Sequence, residues 1–112
     1  MVLFNKTTGK EISSSVKIAD TFFSRLAGLI PRSELNDNEG LFLSPCAMIH
    51  MCFMKFPIDA VFVDSDMKVL RIFLNLKPWR FSSWVRRSYG VLELPAGKAD
   101  GNIRVGDSLE LK

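Results

Sequence analysis

Cysteine, methionine and histidine crowd into one short stretch of this chain, Cys-Ala-Met-Ile-His-Met-Cys-Phe-Met at residues 46–54. An extended strand alternates its side chains between two faces, so a strand here would carry Cys46, Met48, His50, Cys52 and Met54 in one row. Thiolate, thioether and imidazole together suit Cu(I), whereas cysteine and histidine alone suit zinc. Alternate strand residues lie roughly 6.5–7 Å apart at Cα, so a pair such as His50 and Cys52 could share one ion while all five could not. A reactive thiol would need a base, and His50 is the only histidine in the chain. The competing reading is a packed inner face, because methionine and unpaired cysteine are among the commonest buried residues. The expectation is therefore no cofactor, with zinc or copper on Cys46, His50 and Cys52 as the alternative.

A second stretch, LKPWRFSSWVRRSYG at 76–90, interleaves Lys77, Arg80, Arg86 and Arg87 with Trp79, Phe81, Trp84 and Tyr89. Flat aromatic faces beside cations are what single-stranded nucleic acid or another anionic ligand would use, through stacking and charge. The alternative is a long connection that packs its aromatics over an open end of the fold and leaves its charges solvated. Walker, GxGxxG, GxSxG, HExxH and CxxC patterns are all missing from the sequence, and no residue is assigned a catalytic role.

The elements that must position these stretches follow from composition and pattern. At 112 residues and 47% hydrophobic content, the chain suits one globular domain over 1–112, able to bury a core without a disulfide or metal. A net charge of +3 with a pI near 9.1 permits anionic partners without requiring them. No apolar run reaches membrane-spanning length, and MVLFNKTTGK does not read as a signal peptide, so a cytoplasmic protein with no membrane association is expected. On one strand, Cys46 and Cys52 would stand about 20 Å apart, beyond disulfide reach, and both are expected as reduced thiols.

The opening VLFNKTTGKEI reads as a β-hairpin. Asp20 or Thr21 can cap a short helix near 21–30, with Phe22, Leu26 and Leu29 on one stripe, and Pro31 ends it. SELNDNEG is a polar loop. GLFLSP, AMIHMCF, IDAVFVD, MKVLRIFLNL, YGVLELP and DSLELK then read as strands. The expected fold is mainly β, α+β by count: a compact single-domain β-barrel or sandwich with one short helix.

RLAGLIPRSEL (25–35), EGLFLSP (39–45), FPIDAVFVD (56–64), VLELPAG (91–97) and VGD (105–107) together resemble the DUF192 family, also called UPF0127, in order and spacing over nearly the whole chain. The resemblance implies a small mainly-β fold with a short helix and no established activity. Many relatives read similarly to Phe-Trp-Met-Lys-Asn-Thr before their Pro-x-Asp, so the sulfur-rich row is local to this sequence. Its motif positions point to Arg25, Arg32, Asp59 and Glu93 as the polar parts of any shared pocket. Asp59 and Glu93 sit in apolar strands, where an unpaired carboxylate is costly to bury, and pairing with Arg25 or Arg32 would remove that cost. The resulting expectation is a binding module whose cleft lies between the helix and the 76–90 loop, with Arg80 and Trp84 joining those four residues. Anionic ligands or nucleic acid would meet Lys77, Arg80, Arg86 and Arg87. An acid/base pair of Asp59 and Glu93 is conceivable only if both face one cavity.

Overall fold

A computed structural model describes residues 1–21, 32–52 and 54–112. Eight strands occur among them: β1 (Leu3–Asn5), β2 (Lys10–Ser13), β3 (Ser15–Ala19), β4 (Glu39–Leu43), β5 (Ile58–Val63), β6 (Val69–Leu76), β7 (Gly90–Pro95) and β8 (Leu109–Leu111). They form two sheets, ordered β2-β1-β8 and β3-β4-β7-β5-β6. The first two strands make the expected hairpin, closed where the Gly9 N–H donates to the Asn5 carbonyl at 2.8 Å.

The expectation of a β-barrel or sandwich with one short helix is corrected in its barrel: the strands part into two sheets and close no barrel among the described residues. β1 pairs with β2 on one edge and β8 on the other, and neither outer strand joins the ladder of the large sheet. Backbone contacts between the sheets include the Lys68–Ser108 bridge and the Val16 N–H bonded to the Met1 carbonyl at 2.7 Å. The described residues contain no helix; the one expected near 21–30 falls almost entirely outside them. β3 and β4 run parallel and the other paired strands antiparallel. No helix among the described residues is long and apolar enough to cross a membrane.

Alternation along the strands sends apolar side chains to both faces of the large sheet, and each face carries a core. On one face Val16, Phe42, Val61, Val63, Leu92 and Leu94 meet Leu3, Ile12 and Leu109 of the small sheet. On the other, Ala19, Leu41, Leu43, Ile58, Ala60, Phe62 and Val91 are covered by Ile49, Met51, Met54 and Val85 from two long connections. β5 is buried along its whole length for this reason.

Candidate functional site

The expectation of a strand at AMIHMCF is corrected: the described residues of the sulfur-rich stretch belong to neither sheet. Residues 46–51 run beside 79–89 as an irregular antiparallel ribbon, with His50 and Phe81 as its one bridge pair. Its backbone bonds are regular enough to fix the register: Met51 N–H to the Arg80 carbonyl (2.7 Å), Trp79 N–H to the Met51 carbonyl (2.8 Å), Ser82 N–H to the Ile49 carbonyl (2.9 Å) and Val85 N–H to the Ala47 carbonyl (2.8 Å). The buried Ser82 hydroxyl accepts the Ile49 N–H at 2.9 Å, completing the pairing where the ladder breaks. The ribbon thus turns Ile49, Met51 and Val85 inward onto the sheet.

That seating turns the other side chains outward. Trp79, Phe81 and Trp84 are 60%, 61% and 71% exposed, and Met48, His50 and Tyr89 are exposed beside them. Lys77, Arg80, Arg86 and Arg87 are exposed on the same segment, and none forms an ion pair among the described residues. Residues 46–56 and 77–90 together hold Lys55, Lys77, Arg80, Arg86 and Arg87 and no carboxylate. Trp79 and Arg87 both take positive φ, +67° and +68°. A bulky residue held there is strained by about 1–3 kcal/mol, and such strain gathers at functional surfaces. Arg71 of β6 reaches this edge, its guanidinium donating to the Ser83 hydroxyl at 2.7 Å and lying 4.5 Å from the Phe73 ring centre.

The cysteine and histidine residues follow the ribbon's geometry. Cys46 and Cys52 are half-buried and neither forms a disulfide. The Cys46 thiol donates to the Met48 carbonyl at 3.2 Å, and His50 Nδ1 accepts the Cys52 N–H at 3.2 Å. Among the described residues no three histidine, cysteine or acidic side chains are grouped so as to hold a metal ion.

The four motif residues do not assemble into one pocket among the described residues. Arg25 lies outside them. Arg32 pairs with Glu39 at 2.8 Å, which holds the Glu39 carboxyl below its ordinary range and raises the guanidinium. Asp59, fully buried, accepts three backbone N–H bonds: Asn75 at 2.8 Å, Gly97 at 3.0 Å and Ala99 at 2.9 Å. Asn75 sits at φ +52° where β6 bulges against β5, and Gly97 at φ +92° where the chain leaves β7. Glycine takes the φ of +92° at no steric cost, which ties the Gly of the Leu-Pro-Ala-Gly motif to the aspartate that receives its amide. Among the described residues its partners are backbone amides and Arg32 is not one of them, and nothing in the spacing of the motifs could have revealed those amides.

Glu93 is the opposite case. It stands between Leu41 of β4 and Ala60 of β5, on the face covered by the ribbon, and is only 5% exposed. No described group pairs with it, and burial pushes its carboxyl up to about 7. Asp59 pairs in register with Leu94, one step along, so its side chain faces the other core. The two carboxylates cannot share a cavity.

A two-sheet β domain with a cationic, aromatic ribbon laid across one face is the class of protein these features define. The profile of the DUF192 family, described as "Uncharacterized ACR, COG1430", matches residues 3–111, and the chain belongs to that family. A UPF0127 protein of Thermococcus sibiricus is 37% identical over 97% of this chain and 73% of its own length. One from Pyrococcus furiosus is 36% identical over 96% of each. A crystal structure of a protein of unknown function from Novosphingobium aromaticivorans superposes with a TM-score of 0.79 at 25% identity, covering 99% of this chain and 93% of that one. Another, from Sinorhizobium meliloti and called a "putative transcription regulator", gives 0.81 at 26% identity over 97% and 89%.

Proposed function

We propose that this protein is a binding module that takes single-stranded nucleic acid on the ribbon of residues 46–51 and 79–89. The observation that carries this reading is the outward display of Trp79, Phe81, Trp84 and Tyr89 among cations with no carboxylate in the ribbon. Aromatic faces stack on any base, while Lys77, Arg80, Arg86 and Arg87 track a phosphate backbone. The irregular pairing helps, because it leaves the rings splayed outward where a regular strand would tuck alternate ones beneath. The regulator name of the Sinorhizobium meliloti protein accords with this reading and is not its basis.

Fluorescence anisotropy of labelled oligonucleotides about 12 nucleotides long tests it, DNA and RNA separately. Binding should be measurable at low salt and fall as salt rises. Trp84→Ala should weaken it about tenfold, the worth of one stacked base, with the fold unchanged by circular dichroism. No binding at low salt, or binding indifferent to both Trp84→Ala and the Arg86→Ala, Arg87→Ala double variant, overturns the reading.

A further inference from the structure

The ribbon is seated on a sheet face that contains the buried carboxyl of Glu93, which has no partner among the described residues. Leu41 and Ala60, the cross-strand neighbours of Glu93, belong to the same apolar cluster as Ile49, Met51 and Val85 of the ribbon. Val91, two residues before Glu93 on the same side of β7, belongs to it too. A neutral carboxyl is tolerable in such a place at the cost of unmade hydrogen bonds, whereas a charged one needs water or a cation. We propose that Glu93 is a proton-operated support for the ribbon: neutral, it lets Ile49, Met51 and Val85 stay packed on the sheet, and ionised, it draws in water and loosens them.

The charged and titratable groups nearby leave the change to Glu93. On β4, Glu39 lies on the same side and is held by Arg32; on β3, Lys17 stands beside Leu41 and is exposed. On the covering segments His50, Lys55, Arg80, Arg86 and Arg87 are exposed, and Cys46 and Cys52 half-buried. None pairs with Glu93 among the described residues. Burial alone moves the Glu93 carboxyl to about 7, where the two states exchange.

Both tryptophans of the chain, Trp79 and Trp84, are on the ribbon, so their emission reports on it directly. Acrylamide quenching of the full chain, without ligand, is measured from pH 5.5 to 8.5, a range of about one and a half units either side of the midpoint. Quenching should rise along a one-proton curve centred near pH 7, and the curve should vanish in Glu93→Gln. His50 is the one imidazole of the chain and sits on the ribbon, so His50→Asn is the control and should keep the curve. If Glu93→Gln does not fold, Glu93→Leu, which suits the apolar site, replaces it. A flat wild-type profile, or a curve that survives in the Glu93 variant and disappears in His50→Asn, overturns the proposal. The effect on nucleic-acid affinity rests on the function proposed above; the movement of the ribbon does not, so absence of oligonucleotide binding with an intact titration would remove the former and leave this one standing.

Discussion

Asp59 and Glu93 sit one register step apart on neighbouring strands of one sheet, and the two faces treat them in opposite ways. On the face closed by the small sheet, Asp59 collects three backbone amides and fastens the β6 bulge and the turn after β7. On the face closed by the ribbon, Glu93 collects none among the described residues. A carboxylate given hydrogen bonds makes a fixed joint, because charge-assisted bonds to N–H groups are strong and directional. One left without them makes a place where a proton decides the local packing. The first face holds the fold together, and the second leaves its cover adjustable.

The comparison breaks most severely if Asp59 is removed. Asp59→Ala leaves three inward amides unpaired and should cost about 3–5 kcal/mol in urea denaturation, enough to threaten folding. A loss below about 1 kcal/mol would show that water replaces the carboxylate and that the joint is not fixed.

Glu93 sharpens the comparison through pH. Its ordinary value of 4.5 applies to the unfolded chain and about 7 to the folded one. Below pH 4.5 both states hold the proton, and the residue gives no pH dependence. As the pH climbs from 4.5 to 7 the unfolded chain gives up its proton first, so stability falls, by about 3 kcal/mol in total, and levels off above pH 7. Glu93→Leu should abolish that slope and gain most at pH 8, read from denaturation midpoints across pH. A flat wild-type profile would place the carboxyl in water, and a slope of the opposite sign would mean that a partner holds it ionised.

The smallest effect belongs to Arg32. Its pairing with Glu39 is open to solvent, so Arg32→Ala should leave the denaturation midpoint within error, and added salt should change neither protein's ranking. A clear loss would mean that this pair anchors the start of β4.

How much of this was legible in the sequence depends on whether a feature is local. The hairpin, β4, β5, β6 and β7 follow from β-rich runs punctuated by Gly, Pro and Asp, and the structure has each of them. Residues 46–54 show where alternation is only half the story. Ile49 and Met51 are buried and Met48 and His50 exposed, as period two requires. Which set faces inward was decided by the pairing with 79–89: Met48 and His50 of the sulfur-rich row fell on the outside, Cys46 and Cys52 are half-buried, and Met54 turned into the core. The aromatic and basic residues of 76–90 were visible as a composition, but their exposure depends on Ser82, Val85 and the sheet beneath, none of which carries a sequence signal for it.

By itself the sequence determined that this chain is β-rich, that it belongs with the DUF192 pattern, and which residues carry soft donors, rings and charge. Those properties are written in single residues and short runs. The tertiary structure decided that the strands part into two sheets, that Asp59 is bonded by backbone and Glu93 by nothing described, and that the rings of the ribbon face solvent. Each of these depends on which distant segments meet, and a backbone amide that travels more than thirty residues to reach a carboxylate leaves no mark on the identity of either neighbour.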